Sequence, residues 1–556
     1  MRLAGIKISH FRGIQTCEVA FPKDGRVICL IGAGDSTKST ILGAIEYALW
    51  PSWNLPVYDV DFYRRDMSKP VEIEVSLAEV PSALLSEEKC GLYLRGDWTS
   101  TDDDEPKEDQ PEILTIKLTI EEDLEPRWNI VCNRLEPKPI PYKDRRLLSL
   151  GSVGEKSDND LSWGRFSILQ QYGEARGVIK EAFSKTLRQA AQSADLTQLN
   201  SIAGAVKSIG REYGISLSEN ITNQLVVNNA SMSSSVTLFD DDTPLKQRGK
   251  GSQRLLSMGL NIRAYEEGTL LLVDEVETGL EPYRLRNLIN VFRQTHRDKG
   301  QVIMTTHSPV AVAECRAVEL GIVHSDNGVT NVRFPNNNDQ SDIQAIIRSN
   351  PEAMLSRRLI VCEGKTEIGF IRALDTYLME ERGYHMACSG VDYALGTGDD
   401  VLKTAERFYG FGYDVCVFMD SDKTGIENLK RMASNYPVFS WEEGNSIEEQ
   451  VFEDCSDFVA SELLQIAIEY RGLDSVKAKL RECTQVSFEP IRVKCSGNQE
   501  RRGIGTIAKD KNSSWFKRID FGESFGKVVF DNLNHFDNTS TTVKVVKRIV
   551  EWVRNG

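Results

Sequence analysis

The 556-residue chain is too long for one hydrophobic core, so two or three domains are expected. Its 40% hydrophobic and 27% charged residues fit a soluble globular protein, no apolar run nears the ~20 residues of a bilayer span, and MRLAGIKISHF has no signal-peptide pattern; the expected location is cytoplasmic, with no membrane partner. A net charge of -15 excludes nucleic-acid binding by the whole surface and leaves that role to a local basic patch. The 11 cysteines form no C-x-x-C pair, and Cys29, Cys362 and Cys416 lie in apolar strands, where a thiol packs as a small hydrophobe rather than a disulfide or zinc ligand.

A strand from Leu3 to Ser9, a turn at Phe11-Arg12-Gly13 and a second strand from Val27 to Ile31 lead into GAGDSTKST, Gly32 to Thr40, which opens the helical run ILGAIEYAL. Strand, glycine turn and helix N-terminus are the setting of a phosphate-binding loop: backbone N–H groups from Gly32, Gly34, Asp35, Thr37 and Thr40 cradle the phosphates, Lys38 reaches the β and γ oxygens, and Ser39 binds Mg²⁺. Thr37 stands where the G-x-x-x-x-G-K-[ST] pattern has its second glycine. A threonine resists positive φ, so the loop either stays right-handed there or is strained. ATP binding is therefore expected to survive better than rapid hydrolysis.

VEIEVSL, ILTIKLTIE and WNIVCNRL alternate apolar and polar residues and predict an antiparallel region ending near residue ~150. The acidic connection TSTDDDEPKEDQP reads as a solvated loop. Helical spacing follows at Ile179, Phe183, Leu187 and Ala190, and again at Leu199, Ile202, Val206 and Ile209. An insert of about 160–215 of this kind either completes a core or supplies a dimer contact.

Three motifs come next. LLLVDEVETGLEP is an apolar strand ending in Asp274, which would orient the Mg²⁺ shell, and Glu275, which would position or deprotonate the attacking water. Upstream, QRGKGSQRLLSMGL is a glycine-rich turn opening a helix; downstream, QVIMTTHSP is a buried strand ending at His307. The set resembles the head domain of ABC-type ATPases of the SMC-like branch over residues 1–330. The resemblance implies a signature helix near Gly249 to Gln253, of which Gly251, Ser252 and Gln253 keep the LSGGQ character, a D-loop at Gly279 to Pro282, and a γ-phosphate-sensing His307. It also implies that nucleotide binding and head dimerisation are one event, giving a homodimer or a higher even oligomer.

The polar stretch GIVHSDNGVTNVRFPNNNDQSD reads as a linker at the domain edge. Beyond it LIVCEGKTE is a buried strand with Glu363 at its tip, and VCVFMDSDK ends in Asp420 and Asp422, which point to one side. NSIEEQVF adds Glu448 and Glu449. These all-oxygen donors suit Mg²⁺ or Mn²⁺. Glu-Gly, then Asp-x-Asp, then Ser-x-x-Glu resembles a TOPRIM domain, and an ABC head fused to TOPRIM resembles the overcoming-lysogenisation-defect (OLD) family of ATP-dependent nucleases. The resemblance implies an α/β chain with an ABC-type ATPase domain at 1–345 and a TOPRIM nuclease domain at 356–556. It places metal ligands at Glu363, Glu367, Asp420, Asp422 and Glu449, with Glu448 ranked second to its neighbour. It further implies a catalytic lysine, for which Lys517 is favoured over Lys511 within the basic segment 492–518. Trp515 or Phe516 there is expected to stack on a base. The expected function is an ATP-regulated, metal-dependent DNA endonuclease in anti-phage defence, with a co-encoded partner by family analogy. The alternative is a nucleotide-gated sensor of DNA or RNA ends that recruits an effector.

Overall fold

The alternating sequences near the amino terminus form long antiparallel strands in a computed structural model, which describes residues 1–99, 104–108, 110–148, 150–153, 161, 169, 199–226, 235–263, 268–335, 340–422, 435–480 and 486–555. The chain divides into two units, Met1–Gln344 and Ala345–Gly556. No helix among the described residues is long and apolar enough to cross a membrane.

In the first unit β1 (Arg2–Phe11), β2 (Ile14–Ala20), β3 (Val27–Ile31), β4 (Val71–Ala78), β5 (Ile113–Ile120), β6 (Pro126–Val131), β7 (Lys138–Pro139) and β8 (Leu150–Val153) are followed by a small separate sheet of β9 (Ile221–Val226), β10 (Ser235–Asp240) and β11 (Thr243–Pro244). β12 (Leu270–Val273), β13 (Gln301–Thr305), β14 (Leu320–Asp326) and β15 (Val329–Arg333) complete a mixed sheet of order β7-β6-β5-β4-β1-β2-β15-β14-β3-β13-β12-β8. Its β14-β3-β13-β12-β8 end is parallel. Strands of that kind, buried on both faces, need the continuous apolar runs VICLI, LLLV and QVIMT that the sequence provides.

The stretch expected as a linker is instead the hairpin β14–β15 inside this sheet. Ile322, Val323, Val329 and Val332 are β-branched, and Asn327 (φ 48°) and Gly328 (φ 87°) make the left-handed Asn-Gly turn that closes a two-residue hairpin. Asp326, Asn327, Asn331 and Arg333 sit at the turn or on exposed positions, Thr330 is buried, and the asparagine cluster at 336–338 lies outside the described residues.

Helices α1 (Lys38–Ala48), α2 (Asn200–Glu212), α3 (Lys250–Arg263) and α4 (Pro282–Thr295) belong to this unit. Ile202, Val206 and Ile209 of α2 are buried, and Gly259 of α3 leaves room for Ile209: a Cβ there would lie 2.3 Å from the Ile209 side chain. The preceding helical pattern at Ile179 to Ala190 lies outside the described residues.

His296, just past α4, is 2% exposed, with Nδ1 3.1 Å from the Phe292 carbonyl oxygen. Burial pushes its pKa down to about 4. The unfolded chain binds that proton first, at about 6.5, so stability should fall as pH drops from about 6.5 to about 4, by ~1.4 kcal/mol per pH unit. Thermal unfolding of wild type against His296→Gln should therefore show wild type losing about 2–3 kcal/mol relative to the variant between pH 7 and 4.5. A gap independent of pH would mean that His296 takes up its proton as readily in the fold as in the unfolded chain.

The second unit has a parallel sheet of β16 (Arg358–Cys362), β17 (Val391–Leu395), β18 (Asp414–Met419) and β19 (Val438–Ser440), in the order β17-β16-β18-β19. Helices α5 (Lys365–Arg382), α6 (Ile447–Asp454), α7 (Asn498–Lys509) and α8 (Ile519–Asp531) surround it. α5 and α8 pack backbone against backbone: a Cβ on Gly369 would lie 2.3 Å from the Ile519 carbonyl oxygen, and one on Gly522 2.6 Å from that of Thr366. Phe370 packs on Phe418, Trp441, Phe525 and Phe530 in the core between. Trp515 and Phe516, expected to stack on bases, are 1% and 0% exposed and belong to this core, because the WFK segment turns its aromatics inward and only Lys517 outward.

Candidate functional sites: a phosphate loop and a carboxylate cavity

In the first unit the loop Gly32–Thr40 joins β3 to α1. Gly32 has φ 144°, and a Cβ there would sit 2.4 Å from the Val323 carbonyl oxygen of β14, so the close approach requires glycine. Of the two conformations expected for Thr37, the loop takes the left-handed one, φ 67° and ψ 13°. The Thr37 hydroxyl lies 2.6 Å from its acceptor, the Ser36 carbonyl, and 2.9 Å from the Thr330 hydroxyl on β15. Asp35 is also left-handed, at φ 58°. Gly34, Asp35 and Ser39 are exposed, and Thr40 is half-buried.

Lys38 is 3% exposed and turned onto its own loop, donating to the carbonyls of Gly32 (3.0 Å) and Ala33 (2.7 Å). Burial, only partly offset by Asp274, Asp35 and Glu277, pushes its pKa down to about 8. Ser39 Oγ donates to Asp274 Oδ1 at 2.8 Å, bringing together the two oxygens expected to hold Mg²⁺, an all-oxygen pair suited to that ion.

β13 lies between the loop strand β3 and the Asp-Glu strand β12, and its Thr305 joins the site: the hydroxyl donates to Asp274 Oδ1 (2.6 Å) and accepts from the Glu275 N–H (2.8 Å). Glu275 has a left-handed backbone, φ 48°, and its carboxylate accepts from the Thr278 hydroxyl at 3.1 Å. Arg254 of α3 donates to the carbonyls of Asp274 and Glu275. Gly251 of α3 packs on the turn at Gly279 to Pro282 expected as a D-loop: a Cβ on Gly251 would lie 2.0 Å from the Gly279 carbonyl oxygen. Gln253 donates to the carbonyls of Lys246 and Arg248 and so fixes the turn before α3; Ser252 is half-buried. His307 is exposed, and its N–H donates to Glu277, which also accepts from Thr306. Thr305, Arg254 and Glu277 were not singled out from sequence. A hydroxyl at the end of the strand beside an Asp-Glu pair is the signal that could have found Thr305.

In the second unit a cavity of about 380 Å³ opens at the carboxyl ends of β16 and β18, lined by Glu363, Glu367, Asp420, Asp422 and Glu448 with Lys365, Lys509 and Lys517. Register places Cys362 opposite Phe418, so Glu363 and Asp420 emerge side by side, and Glu363 Oε2 accepts the Asp420 N–H at 3.0 Å. Asp420 Oδ1 accepts the Ile447 N–H at 2.8 Å, which ties the strand tip to the start of α6.

Glu448 and Glu449 part company there. Ser446 is the N-cap of α6 and Glu449 its N3 partner in a capping box, the carboxylate also accepting from Thr506 (2.7 Å) and Lys509 (2.7 Å). The cavity wall carries Glu448, 2% exposed, whose Oε1 is buried with no hydrogen-bond partner among the described residues. Lys509 also reaches Asp422 at 3.3 Å, whereas Lys511, the second lysine expected from sequence, is exposed and not among the cavity-lining residues.

Burial and the Glu448 and Glu363 carboxylates push Glu367 up to about 8. Burial, then Glu367, Glu448, Glu363 and Asp422, hold Asp420 well above the usual carboxylate range. Burial pushes Glu449 up as well, but its bonds from Lys509, the Ser446 N–H and Thr506 win and hold it below that range. Crowded carboxylates and an orphaned buried oxygen fit a divalent cation. Among the described residues, however, no three His, Cys, Asp or Glu side chains are arranged as they stand to hold one.

A phosphate loop and an Asp-Glu strand, separated in a parallel sheet by a strand whose Thr305 bonds both halves of the pair, define a nucleotide-binding ATPase-type domain. Residues 27–313, just over half of the chain, match the family described as "AAA domain, putative AbiEii toxin, Type IV TA system", and the chain belongs to that family. Solved structures similar to it include an Smc head bound to the C-winged helix domain of ScpA, at 14% identity and TM-score 0.40 over 62% of this chain and 100% of that one. An Smc head with an extended coiled coil, bound to the C-terminal domain of ScpA derived from Pyrococcus furiosus, matches at 14% and 0.36 over 62% and 99%. The SMC head domain from Thermotoga maritima matches at 14% and 0.30 over 60% and 100%. No curated protein matches the chain.

Proposed function

We propose that the chain is an ATP-regulated, divalent-metal-dependent DNA endonuclease, with phosphodiester hydrolysis in a TOPRIM-like second unit. The observation that carries this reading is one cavity lined by five carboxylates from two strand tips and two helix starts, with Lys509 and Lys517 on its wall. Glu363, Glu367, Asp420, Asp422 and Glu448 would hold Mg²⁺ or Mn²⁺, with Glu449 keeping Lys509 in place beside them. Bound there, such ions supply an activated water and stabilise the leaving 3′ oxygen. Lys517 would offset charge on the attacked phosphate, and exposed Arg492, Lys494 and Lys511 would contact the backbone. The OLD resemblance and the toxin wording of the matched family support a defence role; a homodimer through the ATPase heads, a co-encoded partner and a cytoplasmic setting belong to the same reading.

Incubating the full chain with supercoiled plasmid and Mg²⁺ or Mn²⁺, with and without ATP, tests this. Metal-dependent nicking or linearisation that responds to ATP is expected, and intact plasmid under every condition would defeat it. The second reading, a nucleotide-gated DNA- or RNA-end sensor, draws support from the lack, among the described residues, of three carboxylates arranged as they stand to hold a cation, and from Lys38 turned onto its own loop. It expects nucleotide-dependent end binding without cleavage.

A further inference from the structure

We propose that Thr330 is a positioning residue for the phosphate loop: its hydroxyl latches Thr37 in the left-handed conformation that phosphate binding needs. This rests on nucleotide binding by the first unit and is independent of the nuclease reading.

Successive backbone N–H groups converge on an anion when right-handed and left-handed residues alternate. Glycine takes the left-handed member freely, whereas a β-branched residue does so at a steric cost. Thr37 nevertheless stands at φ 67°, directly before Lys38, and both branches of its side chain are seated. The methyl group faces the β1–β2 turn, 3.4 Å from where a Cβ on Gly13 would be. The hydroxyl is 2.9 Å from that of Thr330, itself 2% exposed and 3.1 Å from Ser325 Oγ on β14.

Two hydroxyl protons serve three contacts, and two of the three possible arrangements put one of them between Thr37 and Thr330. Thr330 donates to Thr37 while Thr37 donates to the Ser36 carbonyl, or Thr37 donates to Thr330 while Thr330 donates to Ser325. Both use the Thr330 oxygen, so removing it strips the outer support from Thr37 in either case. The loop is then free to relax toward a right-handed residue 37, whose N–H no longer joins the cradle. A glycine at 37 would hold the cradle unaided. Dependence on Thr330 is therefore specific to a threonine at this position.

The test is a double-mutant cycle on the full chain, read by equilibrium titration of a fluorescent ATP analogue in Mg²⁺. Thr330→Val keeps the volume and the strand preference and removes only the hydroxyl. It should weaken binding about fivefold, which is about 1 kcal/mol at 1.4 kcal/mol per tenfold. Thr330→Ser should restore binding to within about twofold, and Thr330→Val should change nothing in a Thr37→Gly background. Wild-type binding is the control that separates failure of the latch from failure of the phosphate-loop assignment. Unchanged binding by Thr330→Val, or the same loss with glycine at 37, would overturn the latch.

Discussion

Asp420→Ala should lower metal-dependent plasmid cleavage by on the order of 10³-fold or more while leaving ATP binding untouched. Asp420 is the hub of the cavity: its N–H holds Glu363, its Oδ1 caps α6 through the Ile447 N–H, and four carboxylates crowd it. Alanine keeps the backbone N–H for Glu363 but takes away both a proposed cation ligand and the bond that ties the strand tip to α6. Asp420→Asn keeps an acceptor for Ile447 and loses only the charge, so it should lose cleavage to the same extent. Without metal it should also unfold at a temperature at least as high as wild type, because one member of a repelling cluster is gone. Glu363→Ala should share the loss of cleavage. Wild-type nicking by either alanine variant would remove these carboxylates from the chemistry, and a metal-free Asp420→Asn that melts well below wild type would make the residue structural.

The strands were legible because burial dictates composition: VICLI, LLLV and VCVFM can hardly be anything but covered parallel strands, and their acidic or glycine-rich ends sit where such strands expose chemistry. Ambiguity entered wherever one pattern serves two physical ends. Ser446-x-x-Glu449 reads as an acidic motif and is also a helix capping box; the side chain three residues past an N-cap folds back to the backbone, which leaves the cavity to Glu448. Polarity around Asn327-Gly328 suggested a linker, although Asn-Gly between β-branched residues is a hairpin signal. Trp515 and Phe516 sit in a basic segment, and charge on neighbouring residues says nothing about which way an aromatic side chain turns. Thr305, Arg254 and Thr330 act on residues 31, 20 and 293 positions away, contacts that only tertiary pairing creates.

Lys38→Ala should weaken ATP binding by about 10- to 10²-fold and flatten its pH dependence, whereas Glu275→Gln should leave affinity near wild type and lower any turnover by about 10²- to 10⁴-fold. The two residues stand at different points of the reaction. Lys38 must exchange the Gly32 and Ala33 carbonyls for phosphate oxygens, a swap in which charge-assisted bonds of about 1.5–3 kcal/mol decide the balance. With its pKa at about 8 in the nucleotide-free loop, the ammonium is largely neutral by pH 9, and bound phosphate raises that pKa again. Binding then takes up a proton above pH 8, so wild-type affinity should fall by up to about tenfold per pH unit there, and the alanine variant should not follow. Glu275 is not proposed to contact phosphate in the ground state. Its backbone is held in place by Thr305 and Arg254 and its carboxylate by Thr278, an arrangement that suits its proposed role as a base for water rather than a ligand for phosphate. Glutamine keeps the shape and loses the basicity, so nucleotide should persist on the variant. Affinity of Lys38→Ala equal to wild type at pH 7.5, or turnover by Glu275→Gln equal to wild type, would separate these residues from the roles the loop and the strand assign them.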